Sequence, residues 1–181
     1  MAYKFLESKI SVSTDNAIHV AKNIKLQDLD NPELRLESCG NLASKLAESD
    51  RIREELIFFQ RDFPKKKVGA VLDGRDIGSV IFPDAEIKLF VTADLEVRAQ
   101  RRQEDYKKMG QEYSLRDLTE KLKERDKRDK NRKVSPLICM PDAIVFDNSE
   151  ISFERLNKEI IEIVEKKYKS LNLDINIKKK S

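Results

Sequence analysis

VLDGRDIGSVIFPDAE, residues 71–86, runs a short apolar segment into Asp73-Gly74-Arg75-Asp76, turns at Gly78 and ends in Phe82-Pro83-Asp84. The apolar residues 68–72 predict a buried strand. In an open parallel sheet, ligands bind in the crevice beyond the carboxyl ends of the strands, where these two carboxylates and one guanidinium would emerge. An arginine fork matches phosphate oxygens, and a carboxylate can accept from a base or sugar or hold a hydrated magnesium ion. The competing reading is a surface turn in which Asp and Gly end the strand and Arg75 pairs with Asp76.

Outward from this stretch, strand and helix patterns alternate. Residues 87–91 predict a strand, 95–109 and 114–133 helices, 143–146 a strand and 153–169 a helix, in which Phe153, Leu156, Ile160, Val164 and Tyr168 follow the 3.6 period and should pack on the sheet. This alternation implies an α/β fold with a parallel sheet and flanking helices. On the N-terminal side, residues 41–59 carry helical apolar spacing with a break at Ser49-Asp50 that would cap a second helix. Residues 15–30 form a weak amphipathic segment, and 27–32 read as a connection. Tyr3, Leu6 and Ile10 place residues 1–10 on a helix, and the tail Asn176–Ser181 is expected to fray.

The 181 residues suit one domain with a sizeable core. Lys and Arg number 36 against 33 Asp and Glu, so the net charge of +3 argues against wholesale coating of nucleic acid or membrane. Any function must come from local clusters. Cys39 and Cys139 are the only cysteines and lie far apart without a CxxC, which argues against a disulfide framework or structural zinc and fits a reducing cytoplasm. No apolar run reaches a membrane span, and residues 1–10 lack the apolar core of a secretory signal.

Two further clusters carry chemistry. The helix over 114–133 buries Leu115, Leu118 and Leu122, and the same stripe continues onto Arg125, Asp129 and Arg132. Inward charges are costly unless paired, so that end should face fixed charges or an anionic ligand. Residues 121–133 hold eight basic and three acidic side chains, which favours phosphate; a solvated, salt-bridged helix is the alternative. In VRAQRRQ, Arg98 and Arg102 share a helix face with Arg101 beside it, a pair able to bracket a triphosphate. His19 belongs at the surface or partly buried, and Ser152 reads as a helix cap. With no evident nucleophile or metal cage, phosphoryl transfer suits the set, because its catalysis is mainly positioning and charge neutralisation.

The ordered blocks GAVLDGRDIGSVIFPDAEIKLFVTA, VRAQRR, KERDKRDKNRKVSPL and DAIVFDNS resemble the bacterial cytidylate kinases of the nucleoside-monophosphate kinase group, closely over residues 69–163 and more loosely over 41–63. The resemblance implies a P-loop fold that transfers the ATP γ-phosphoryl to CMP or dCMP with Mg2+. It implies a reduced monophosphate-binding lobe over 11–63, core and lid over 64–170, a disordered tail over 171–181, and a cytoplasmic protein that is monomeric if complete and binds neither nucleic acid nor membrane. Ser44, Arg53 and Asp76 match the cytosine-recognising group, and Arg125 and Asp129 the positions that hold the pentose. Arg75 and Arg132 match contacts to the monophosphate or base. Lys4 stands where the family has a phosphate-binding arginine, and a lysine keeps the charge without the fork. Arg98, Arg101 and Arg102 resemble the lid arginines that close on ATP, with Arg98, Arg102 and Arg125 as the catalytic set. Asp73 would be an outer-shell partner of magnesium.

The family's opening strand, P-loop and helix have no counterpart here: GxxxxGK[ST] occurs nowhere, and none of the five glycines precedes a lysine. The expectation is a fold without its N-terminal strand and P-loop. That leaves an active kinase, an inactive or truncated fragment acting as a nucleotide-binding or interaction module, and, from another class, an RNA-binding basic helix over 121–133 as the readings in play.

Overall fold

The computed structural model describes residue 2 and residues 13–66 and 69–170. The helix predicted over residues 1–10 and the tail over 171–181 therefore lie outside the described residues, apart from Ala2, which is helical and buried. The fold is α/β, with a parallel sheet and flanking helices. The chain divides into two compact units, one formed by Met1–Pro83 with Lys123–Ile138 and the other by Asp84–Leu122 with Cys139–Ser181.

The first unit opens with α1 (Thr14–Lys22), which starts because the Ser13 hydroxyl accepts from the Asn16 N–H and so satisfies a donor of the first turn. Two 3-10 turns follow, Leu26–Asp30 and Pro32–Arg35, where a plain connection is expected. Asn31 caps the second by accepting from the Glu33 N–H. The helical spacing read over 41–59 resolves into α2 (Glu37–Leu46) and α3 (Asp50–Asp62), broken at Ser49 as the sequence suggests, although the Ser49 side chain makes no capping hydrogen bond. Ala17, Cys39, Leu46 and Ile52 form the core of this unit, with Ile18, Leu42 and Leu56 packed around them. Burying one side chain of the size of Ile52 contributes about 1.5–3 kcal/mol.

The strand expected over 68–72 is absent from residues 69–72; Val68 lies outside the described residues. Strand geometry is sustained by a hydrogen-bonded neighbour. Among the described residues the paired strands lie elsewhere, and Val71 is 97% exposed. Nor does the chain simply turn at Gly78. Ile77–Ile81 forms one π-helical turn, held by the Asp76 carbonyl, which accepts from the N–H groups of Ser79, Val80 and Ile81. Arg61 closes the far end, its Nε and Nη2 donating to the carbonyls of Ile81 and Val80 over 3.2 and 3.1 Å. Such turns are rare and are frequently found at functional sites.

In the second unit β1 (Leu89–Thr92) pairs in parallel with β2 (Ile144–Asp147), Leu89 opposite Ile144 and Thr92 opposite Asp147. A parallel pair needs a long crossover, supplied in chain order by α4 (Leu95–Lys108) and α5 (Leu115–Asn131). Residues of α5 up to Leu122 belong to this unit and those from Lys123 to the first. Ala99, Tyr106 and Leu118 are the buried core, with Tyr113 and Leu122 against them. Leu115, expected inside, is exposed at the first turn of α5. In α6 (Phe153–Ser170) Leu156 is buried and Ile160, Val164 and Tyr168 are half-buried along the predicted face. Phe153, the first member of that stripe, is 72% exposed, so the expected burial fades at the helix start. Ser152 caps this helix by accepting from the Arg155 N–H.

Candidate functional site

Seven residues from four segments of the first unit meet in one cluster, in which Ser44, Asp76, Asp129 and Arg132 are buried, Arg53 and Arg125 half-buried and Arg75 exposed. α2 supplies Ser44, α3 Arg53, the segment before the π turn Arg75 and Asp76, and the C-terminal half of α5 with the residues after it Arg125, Asp129 and Arg132. Asp129 is 2% exposed and Arg132 8%, so the stripe that begins with leucines does turn charged while staying inside.

Asp129 receives a hydrogen bond from Ser44 Oγ on Oδ1 at 2.8 Å. Its Oδ2 lies 3.1 Å from Arg75 Nε and 3.8 Å from Arg125 Nε, yet neither approach is aligned as a hydrogen bond to that oxygen. Asp76 forms an ion pair with Arg53 through Oδ2 and faces Arg132 Nη2 across 3.7 Å through Oδ1. The surface-turn reading, in which Arg75 pairs with Asp76, is overturned: Asp76 is buried, and Arg75 turns instead to Asp129. Burial, and then the neighbouring Arg53 guanidinium, push Arg132 below the usual arginine range, against the opposing pull of Asp76 and Asp129.

Four guanidiniums, Arg53, Arg75, Arg125 and Arg132, face two carboxylates, Asp76 and Asp129. Arg132 Nη2 and Asp129 Oδ2 are also buried without a hydrogen bond. A buried donor and a buried acceptor left in this state are costly, and a ligand carrying both a hydroxyl and an anionic group would satisfy each. An open groove beside the C-terminal end of α5, lined by Glu48, Lys127, Arg128, Asn131 and Arg132, reaches the cluster.

Two contributors escape the sequence reading. Ser135 accepts from Arg53 Nε on Oγ at 3.1 Å and from Arg132 Nε on its carbonyl at 2.6 Å. Arg128 donates to Asn41 Oδ1 at 3.2 Å and pairs with Glu48 at 3.6 Å, tying α5 to α2. Arg128 could be found as a basic residue one step off the stripe. For Ser135 no periodicity serves as a signal, since it lies beyond the helix.

Asp73 is exposed, and Lys4 lies outside the described residues. Among the described residues no three His, Cys, Asp or Glu side chains gather as a metal cage. Arg98, Arg101 and Arg102 belong to the second unit. Arg98 Nε donates to the Ala93 carbonyl at 2.9 Å, and Arg101 grips Asn148 through its side-chain and main-chain oxygens at 3.0 and 2.7 Å. Arg102 Nε donates to the Tyr106 hydroxyl at 2.9 Å, with its guanidinium 5.1 Å from the centre of that ring. Exposed His19 takes no part in the cluster.

A cluster of arginines and buried carboxylates of this kind is suited to holding an anionic ligand, the demand that phosphotransferases make of their sites. The family model for cytidylate kinase matches residues 3–166. The chain is 46% identical over 129 residues to a cytidylate kinase of Methylococcus capsulatus, covering 71% of this chain and 58% of the relative. It is 39% identical over 165 residues to a cytidylate kinase of Cereibacter sphaeroides, covering 91% and 80%, and 40% identical over 167 residues to one of Bradyrhizobium diazoefficiens, covering 91% and 78%. The chain belongs to the cytidylate kinase family. No helix among the described residues is long and apolar enough to cross a membrane.

Proposed function

We propose that this chain binds CMP or dCMP through the cluster of the first unit and serves as the acceptor half of a kinase that transfers the ATP γ-phosphoryl to that nucleotide. The observation that carries the proposal is the gathering of four guanidiniums, Arg53, Arg75, Arg125 and Arg132, around the two buried carboxylates Asp76 and Asp129. A nucleoside monophosphate carries close to two negative charges at pH 7, together with hydroxyls and a base that carboxylates can read.

In this reading Asp76 accepts from the exocyclic amine of cytosine while Arg53 donates to the neighbouring ring acceptors and Ser44 steadies the group. Asp129 accepts from a sugar hydroxyl, with Arg125 beside it. Arg75 and Arg132 neutralise the monophosphate and orient it for in-line attack on the γ-phosphorus, the arrangement from which most of the acceleration in phosphoryl transfer derives. Lys4 adds a further positive charge to the monophosphate. Arg98, Arg101 and Arg102 serve the donor triphosphate. Magnesium would supply charge neutralisation between donor phosphates. It is carried largely by those phosphates and needs at most one or two carboxylates, which the exposed Asp73 fits as an outer-shell partner. Within the chain, residues 11–63 act as the monophosphate lobe and 64–170 as core and lid of one domain.

The second reading rests on one observation of the sequence, that GxxxxGK[ST] does not occur among the 181 residues. A P-loop supplies the N–H cradle and lysine for the ATP phosphates. On this reading the 181 residues bind the acceptor nucleotide without turning it over. CMP-dependent ADP formation by purified chain 1–181 with Mg-ATP separates the two, with AMP and UMP as controls. ADP release selective for CMP or dCMP is the result expected of a kinase; its absence restricts these residues to nucleotide binding.

A further inference from the structure

We infer that Ser135 is a positioning residue that locks Arg53 and Arg132 into the plane in which they meet the bound nucleotide, an inference that rests on the first unit being the CMP or dCMP site. Four residues close a ring. Ser135 accepts from both arginines at Nε, through its hydroxyl for Arg53 at 3.1 Å and through its carbonyl for Arg132 at 2.6 Å. On the opposite side Asp76 meets the same two guanidiniums at Nη2. A guanidinium is planar, with five N–H donors in a fixed fork. Hydrogen bonds at Nε and Nη2 fix the plane of Arg53, while Arg132 is hydrogen-bonded at Nε and only faces Asp76 at Nη2, so that its Nη2 donors stay available to a ligand.

The backbone of Ser135 supports the same conclusion. Its φ is 47°, the one positive φ of a non-glycine among the described residues. The left-handed region crowds Cβ against the following carbonyl, and only glycine enters it freely. Strained residues of this kind persist where surrounding contacts over-determine them, and they cluster at functional sites. Here the conformation lets one residue present its hydroxyl to one arginine and its carbonyl to the other. A glycine would relieve the strain and keep the carbonyl, but it would lose the acceptor for Arg53. The segment that carries Ser135 also caps α5, the Leu137 N–H donating to the Asp129 carbonyl at 2.8 Å, but the two arginine contacts are separate from that cap and go to side chains.

The test compares wild-type chain 1–181 with Ser135→Gly and Ser135→Asn by calorimetric titration with CMP and with UMP, alongside thermal midpoints. The glycine variant should bind CMP roughly 5- to 10-fold more weakly. Its affinity for UMP should fall less, so that the CMP-to-UMP ratio drops while the thermal midpoint holds or rises. Asparagine tolerates the left-handed region and offers an amide oxygen, and it should restore a substantial part of the lost affinity. Wild-type CMP affinity in Ser135→Gly, equal loss for both nucleotides, or equal weakness in both variants overturns the role given to the hydroxyl. A wild-type chain that does not bind CMP overturns the underlying site reading instead.

Discussion

Ser44 Oγ donates to Asp129 Oδ1 across 2.8 Å, joining residues 85 positions apart inside the first unit. The bond links α2 to α5 and gives a buried carboxylate one full hydrogen bond beside its ion pair with Arg75. Hydrogen bonds to charged groups contribute more than neutral ones, and removing a buried ionic partner leaves the others without compensation.

Ser44→Ala should therefore cost about 1.5–3 kcal/mol of folding stability, and Asp129→Ala about 3–5 kcal/mol. Denaturant unfolding checks both. Under the proposed function each also weakens CMP binding, Asp129→Ala by at least roughly tenfold, a loss of one charge-assisted hydrogen bond. Unchanged CMP affinity in Asp129→Ala would discard the assignment of the sugar contact.

A methyl group at position 74 would run into the Ile77 side chain, which would have to shift. A Cβ there would lie 2.8 Å from Ile77 Cγ1 and 3.0 Å from Ile77 Cδ1, against an ordinary carbon contact of about 3.5–4.0 Å. Gly74→Ala should destabilise by about 1–3 kcal/mol and shift the π turn that carries Asp76. Adding Ile77→Ala to Gly74→Ala removes the clash, and the double variant should lose less stability than the two single costs summed. Simple additivity in that cycle would show that the clash is not the cause.

Tyr106 is fully buried, and its hydroxyl accepts from Arg102 Nε. Tyr106→Phe keeps the ring and the cation–π contact but removes the acceptor, so the expected cost is about 1 kcal/mol. Tyr106→Ala empties the core of the second unit and should cost about 3–5 kcal/mol. Equal costs for the two variants would mean that the ring itself contributes little, contrary to its place between Ala99 and Leu118.

The Asp147 carboxyl is held below the usual carboxylate range, first by the Ser149 hydroxyl at 2.5 Å and then by the Ser149 N–H at 2.9 Å. A depressed carboxyl contributes stability above its unfolded value, about 3.9, and loses it as pH falls through the lower folded value. Wild type should thus exceed Asp147→Asn in thermal midpoint at neutral pH, and the gap should close as the pH is taken down through and below the unfolded value. A gap that stays constant down to strong acid would remove ionisation as its source.

How far the sequence reaches can be judged on α5. Leu118, Leu122, Arg125, Asp129 and Arg132 follow from one helical period, and the cost of burying charge without a partner leads directly to a paired cluster. Ser49 likewise marks a helix boundary through its residue type alone. What fails is what depends on contacts remote in sequence. The apolar run at 69–72 has strand composition, yet Val71 is almost fully exposed, because strand geometry requires a partner that composition does not specify. Leu115 falls on the right face of α5 but at its first turn, where periodicity says nothing of what covers it. Ser135 could not be read at all: it lies beyond the helix, and one of the two arginines it accepts from is 82 residues away.

The central claim is that the cluster around Asp76 and Asp129 recognises a cytidine monophosphate. Calorimetric titration of chain 1–181 with CMP, with UMP as the competitor that lacks the exocyclic amine, tests it most directly. The account predicts saturable binding of CMP, at least tenfold tighter than UMP because Asp76 would be left facing an acceptor in UMP, and abolished discrimination in Asp76→Asn. Equal affinity for CMP and UMP, or discrimination that survives Asp76→Asn, would contradict it.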